Sequence, residues 1–459
     1  MHSKARSLNF IVGVSWSPPN VALNILLTLL FVISMFLFVS LSAQPTQAQA
    51  FPVTQDLKSQ ANGKAPDFTC MGSGGPFNII HSFTQEENGQ SGGGLMDPAI
   101  DSAGNIYGTT IGGGGSNHLG LVYELSPHGQ DWTFTTLFSA TGGENGEYPR
   151  AVKLGQNGAL AGLALDEQSC NGYDCGLVFG LRPAPTVCGP RSCSWDENVL
   201  HRFADVNDGW DPRSLVFDHA GNLYGTTNGG GAYGHGTVYE LTPSAGSWTE
   251  KILYSFTGGS DGGDPGSSTS LALAPDGSVY GTSWGGGAYG FGVVFQLVPV
   301  NGAWAEHVLY AFTGQDDGIY PSHLRRDSSG KLFGTSSFQY SWGTVPVRVF
   351  TLSASNNGWT FGIVWQAQHH FEYIGGLALD ASDNLYGVAT NSGEDNTNLY
   401  FETFKRTPDG IFQQWGVSGQ FFSLDSDLVA DRHGNVYGVA DFCGEHDLGG
   451  VWQFSGFAN

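Results

Sequence analysis

The sequence predicts an all-β fold, a single seven-bladed β-propeller of four-stranded blades. Three observations predict it. The composition is rich in glycine and aromatics but poor in charge, one short motif recurs at intervals of 51 to 63 residues, and a strand-like segment near the N-terminus has no partner where the last repeat lacks a strand.

Of 459 residues, 69 are Gly, 13% are aromatic and 13% are charged. Average globular usage is about 7% Gly and about 25% charged. Glycine adopts positive φ without steric cost, so many glycines among many aromatics imply short strands joined by tight turns. Stretches of helical period rich in Ala, Leu, Glu and Lys are absent from the body of the chain.

The repeat reads Ile106-Tyr107-Gly108-Thr109-Thr110, Leu223-Tyr224-Gly225-Thr226-Thr227, Val279-Tyr280-Gly281-Thr282-Ser283 and Leu332-Phe333-Gly334-Thr335-Ser336. Looser copies stand at Leu160-Ala161-Gly162-Leu163, Leu385-Tyr386-Gly387 and Val436-Tyr437-Gly438. A fixed period of this size means stacked or radially arranged units. The third unit divides into four strands: 214–217, a turn Asp218-His219-Ala220-Gly221, 222–226, a glycine-rich loop 228–236, 237–241, which Pro243 should stop, and 248–256. Strand four opens with Trp132, Trp195, Trp248, Trp304 or Trp359, placed to pack between neighbouring blades because aromatics contribute large buried area. Four short strands repeated radially make propeller blades.

The last unit stops after its third strand, near Gly450 to Phe454, whereas Phe77 to Phe83 resembles a fourth strand and precedes any first strand. The N-terminal segment should therefore complete the last blade and remove an open sheet edge. Residues 77–456 then form the propeller, with 51–76 as a linker.

Residues 1–50 stand apart. Lys4 and Arg6 precede an apolar run from Val21 to Leu41, and Ala48-Gln49-Ala50 resembles a cleavage site. This reads as a secretory signal; an uncleaved N-terminal membrane anchor is the competing reading, since about 20 apolar residues span a bilayer. Both place the body outside the cytoplasm. The net charge of −23 becomes −25 without Lys4 and Arg6. Such a chain repels phosphate backbones, which excludes nucleic acid as a partner, and disfavours anionic membranes apart from contact through the N-terminal segment. Six cysteines outside the cytoplasm suggest the disulfides Cys170–Cys175, Cys188–Cys193 and, by elimination, Cys70–Cys443. A four-cysteine zinc site is the alternative for the first four.

The unit G/S-L-x-x-D-x-x-G-N-L-Y-G-T-T, then a glycine loop, then G-T-V-Y-E-L-T-P, then W-T-x-x-x-L-Y-S-F-T-G, resembles the GloVer tandem repeat of exported bacterial proteins. Residues 214–258 carry it almost throughout, and 98–138 and 270–314 carry it well. The resemblance implies an extracellular or cell-surface location and brings no activity, cofactor or catalytic residue.

The loops after strand two and after strand four should share one face of a propeller. The second set repeats [D/N]-G-x-x-P, which gathers Asp208, Asp211, Asp261, Asp264 and Asp317 there, while His118, His235 and His446 fall in glycine-rich loops. Carboxylates and carbonyls suit Ca²⁺, but several acids in one loop at the usual spacing are missing and turn-making explains the pattern, so no cofactor is expected. The turn acids Asp101, Asp218, Asp327, Asp380 and Asp431 belong to the opposite face and are structural. A nucleophile elbow, P-loop, Rossmann fingerprint and H-E-x-x-H are all absent. The expectation is an exported non-catalytic scaffold that binds a glycan, peptide or protein on the Gly/Asp-rich face. A hydrolase or lyase acting at the channel mouth is the alternative; it needs carboxylates or histidines from several blades to converge, with the irregular blades two, six and seven the places to look.

Overall fold

The computed structural model describes residues 76–88, 95–114, 117–166, 169–170, 173–183, 195–204, 206–266, 270–337, 347–367, 373–391, 400–418, 427–440 and 448–457. The leader, the linker up to residue 75, His446, Cys70, Cys188, Cys193 and Cys443 lie outside them.

Seven four-stranded antiparallel sheets form a seven-bladed propeller. The innermost strands of blades one to seven are Leu95–Ile100, Glu147–Leu154, Trp210–Phe217, Ala272–Leu273, Ile319–Arg326, Tyr373–Leu379 and Val429–Ala430. Blade three continues outward through Leu223–Gly229, Thr237–Ser244 and Ser247–Ser255. The ring closes as expected. Phe77–Ser82 is the outer strand of blade seven, antiparallel to Gly450–Phe454, with Phe77 opposite Phe454 and Ser82 opposite Gly450.

The repeat motif encodes two local devices. The turn aspartate after strand one is a hydrogen-bond hub: Asp101 accepts from the amides of Ala103 and Asn105 (both 2.9 Å), the Asn105 side-chain amide (2.9 Å) and the Tyr107 hydroxyl (3.2 Å). Asp380 and Asp431 repeat all four bonds with Asn384 and Tyr386, and with Asn435 and Tyr437. The motif glycine is a close approach. A Cβ on Gly225 would lie 2.2 Å from the Tyr239 hydroxyl oxygen, and one on Gly387 would lie 2.2 Å from the Phe404 ring. The large aromatic of strand three therefore lies across strand two only because that position has no side chain.

Among the described residues the buried apolar side chains fall into seven clusters, each between two neighbouring blades. The strand-four tryptophans join them: Trp132 of blade one meets Tyr437 of blade seven at 6.0 Å, Trp195 meets Tyr107 at 6.4 Å and Trp359 meets Tyr280 at 6.1 Å. Stability is thus a property of the closed ring.

Four strand limits differ from expectation. Strand three of blade three runs past Pro243 to Ser244, paired only with strand four; beyond Leu241 strand two has ended, so a missing N–H there costs no bond to it. The inner strands of blades two, three and five begin ahead of Pro149, Pro212 and Pro321 instead of after them. Strand one is an edge of its sheet, and each of these strands changes register close to its proline, where a missing donor is tolerated.

Candidate functional site

The residues before Pro149, Pro212, Pro265 and Pro321 have positive φ: 50° at Tyr148, 58° at Asp211, 50° at Asp264 and 52° at Tyr320. Its amide donates to the preceding blade's loop, to the carbonyls of Leu119 (2.8 Å), Cys175 (2.9 Å), His235 (2.9 Å) and Phe291 (3.2 Å). The [D/N]-G-x-x-P loop is therefore an inter-blade clasp, and it places the two loop sets together on one face.

The expected loop acids are held by their own turns. Asp261 accepts from the Thr257 amide (2.8 Å), the Thr257 hydroxyl and the Tyr254 hydroxyl (2.9 Å). Asp317 does the same with Thr313 and Tyr310. Burial would raise both carboxyls, but these bonds outweigh it and hold them below the usual range. Asp211 sits between Arg150 (2.9 Å), Arg213 and Asn228, and Asp208 accepts from the Ala204 amide at 3.3 Å. Only Asp264 and His235 meet, at 3.4 Å, and both are exposed. His118 is exposed. Cys175 is buried and disulfide-bonded; the pairings expected for the other cysteines fall outside the described side chains. Among the described residues, no three His, Cys, Asp or Glu side chains are grouped to hold a metal.

What stands out on this face is aromatic. Gly231-Ala232-Tyr233-Gly234 closes a tight turn through the Gly234 amide to the Gly231 carbonyl (3.3 Å), and Gly287-Ala288-Tyr289-Gly290 closes an identical one (3.2 Å). Each turn lifts its tyrosine into solvent, Tyr233 at 62% and Tyr289 at 60% exposure. In the next blade Tyr320 is also exposed, its ring 5.7 Å from that of Trp284. The repeated Gly-Gly-Gly-Ala-Tyr-Gly at 229–234 and 285–290 was the available signal for these tyrosines.

The second feature is the channel. Counting four residues back from the residue that opens each strand-one turn gives Asp97, Ala151, Ser214, Ser270, His323, Gly376 and Asp427. Two residues further along are Ala99, Lys153, Val216, Ala272, Arg325, Ala378 and Val429. Charged members of both sets converge on the channel axis. The Asp427 carboxylate meets Arg325 (2.6 Å), His323 Nδ1 (2.9 Å), the Ser270 hydroxyl (3.5 Å) and, at longer range, Lys153 (3.7 Å). The Asp427 amide donates to Asp97 at 2.8 Å, and Lys153 also lies 3.6 Å from Asp97. Burial would raise the Asp427 carboxyl, but Arg325, His323 and Lys153 together hold it far below the usual range. His323 is buried with φ 49°, a conformation costly for a non-glycine residue. A cavity of about 320 Å³ adjoins the cluster. These residues escaped the sequence reading. Their signal was the G/S of the repeat, four residues before the turn aspartate, which becomes Asp97, His323 and Asp427 in blades one, five and seven.

Symmetry also breaks on strand three. Opposite Thr110, Ala164 and Ser283 stand Leu121, Leu177 and Val293, and opposite Thr227 stands Thr237, but opposite Ser336 and Ala389 stand the charged side chains Arg348 and Glu402. Burial pushes the Glu402 carboxyl up to about 7, against a smaller lowering by its bond with Gln414. Because the folded value exceeds the ordinary 4.5, the folded state keeps the proton; stability from this residue is full below about pH 4.5 and falls as pH rises through 7. Glu402→Gln should therefore raise stability at pH 8 by about 3 kcal/mol and by less than about 1 kcal/mol at pH 5. Urea denaturation at the two pH values measures it, and an equal effect at both would contradict the assignment.

With the geometry in place, the chain belongs to the Gloeobacter/Verrucomicrobia repeat family, whose model matches residues 154–401. No curated protein matches the chain. Solved structures of similar fold include a puromycin-hydrolyzing peptidase of Mycobacterium tuberculosis (12% identity, TM-score 0.48, covering 75% of this chain and 48% of that one). Others are an ulvan lyase (9% identity, TM-score 0.46, 79% and 92%) and a protein of unknown function from Dyadobacter fermentans (12% identity, TM-score 0.38, 74% and 96%). The chain spans about half the length of the peptidase. At these identities the likeness concerns the fold alone.

Proposed function

We propose that this protein is an exported, non-catalytic binding propeller that takes a neutral glycan on the loop face of blades three to five. The observation that carries the reading is the pair of identical glycine turns holding Tyr233 and Tyr289 out in adjacent blades, with Tyr320 and Trp284 beyond them. Exposed rings supply apolar faces with a polar tip, and the surrounding glycines leave backbone groups open to a ligand's hydroxyls. A body charge of −25 without the leader disfavours anionic polymers as occupants of an open face. The loop acids serve as turn anchors in this reading.

The test is titration of the full-length protein with cello-, xylo- and malto-oligosaccharides. At least one series should bind, and Tyr289→Ala should weaken it at least tenfold without lowering the melting temperature. Absence of binding to all three, or affinity indifferent to Tyr233 and Tyr289, would end the proposal.

The hydrolase or lyase alternative is favoured by one observation, the convergence of His323 and Asp427 from different blades in the channel. Turnover in a broad substrate screen, abolished by His323→Ala, would replace the binding reading with it.

A further inference from the structure

We propose that the central channel is a second site, one that binds a small carboxylate-bearing ligand the size of a sugar acid through the Lys153 ammonium. The fold does not need a cation there: the equivalent residues of five blades are Ala99, Val216, Ala272, Ala378 and Val429, and only blades two and five place Lys153 and Arg325 at that level. Arg325 is committed to Asp427 at 2.6 Å. Lys153 is not. Its nitrogen lies 3.6 Å from Asp97 and 3.7 Å from Asp427, beyond the roughly 2.7–2.9 Å of a full charge-assisted hydrogen bond. Among the described residues it has no closer acceptor, while a partly buried ammonium gains most from one.

The surroundings select the ligand's charge and size. Lys153, Arg213 and Arg325 line the cavity against Asp97 and Asp427, and Arg213 shares Asp211 with Arg150, so the linked ion pairs hold four cations to three carboxylates, a surplus of one positive charge in a chain of net −23. One carboxylate balances that surplus, whereas a doubly charged anion would be repelled by the two aspartates. A cavity of about 320 Å³ is at the lower end of the roughly 300–1,000 Å³ typical of small-molecule sites. Ser214 and Ser270 add hydroxyls to its wall. The Lys153 and Asp97 side chains are each 27% exposed, so solvent reaches the ammonium.

The experiment is calorimetric titration of the full-length protein at neutral pH and low salt with D-glucuronate, D-glucose and inorganic sulfate. Glucuronate should bind at least tenfold more tightly than the other two. Lys153→Met should lose at least tenfold, Lys153→Arg should retain binding, and Tyr289→Ala should leave it unchanged, which separates this site from the tyrosine turns. No glucuronate binding, equal binding of glucose or sulfate, unchanged affinity in Lys153→Met, or loss in Tyr289→Ala each overturns the proposal. Should Lys153→Met fail to fold, crystals of the unaltered protein soaked in glucuronate decide. A carboxylate within about 3 Å of the Lys153 nitrogen supports the site, and an empty channel refutes it.

Discussion

Phe83→Ala should destabilise the protein by about 3–5 kcal/mol, although the residue stands at the very edge of the ring in sequence. Phe83 is fully buried, its ring 5.3 Å from Tyr123 and 6.0 Å from Phe134 of blade one, and its amide donates to Gly449 of blade seven at 3.0 Å. It thus links the last blade to the first. Because every apolar cluster lies between two blades, a cavity here loosens the contact that shuts the ring, and unfolding can start from the opened edge. Asn78→Ala, on the strand Phe77–Ser82 that Phe83 directly follows, is the control. That side chain is exposed and should shift stability by no more than about 0.5 kcal/mol. Guanidinium unfolding of both variants gives the comparison. A Phe83→Ala loss as small as the control's would mean that the closing strand is not integral to the propeller.

That strand was legible because strand alternation and an end-to-end deficit are one-dimensional signals: Phe77 to Phe83 looks like a fourth strand, and the last repeat lacks one. The turn aspartates were legible for a similar reason, since Asp101, Asn105 and Tyr107 bond within six residues of one another. Strand ends at Pro212 and Pro243 were misjudged because the cost of a missing N–H depends on which neighbouring strand is present, a fact of the sheet and not of the segment. The channel cluster was illegible for a stronger reason. Ser270, His323 and Asp427 belong to blades four, five and seven, and nothing local marks them as neighbours. The loop acids are the opposite case: repetition made Asp261 and Asp317 conspicuous, and the bonds they make are those of a recurring turn, since repetition in a ring marks what every blade needs. A particular ligand is served where the blades differ.

Asp427 is where they differ most, and its removal should be the costliest single change in the channel. Asp427→Ala leaves Arg325 and Lys153 facing each other without the carboxylate between them, and frees His323 Nδ1 in a buried strand whose backbone is already strained. Breaking a buried charge cluster by deleting one partner costs about 3–5 kcal/mol, because the remaining charges stay desolvated. The pH dependence identifies the cause. The Asp427 carboxyl titrates far below its ordinary 3.8, so its stabilisation is fully present above pH 3.8 and declines as pH falls below that value. The gap between Asp427→Ala and the unaltered protein should accordingly narrow as pH falls below 3.8 toward 2 to 3, and its sign is opposite to that of Glu402→Gln, since here the variant is the less stable protein. Urea denaturation from pH 2 to 8 tests both. A gap independent of pH would show that Asp427 acts by filling space, and the channel would then be a packed axle with no electrostatic function.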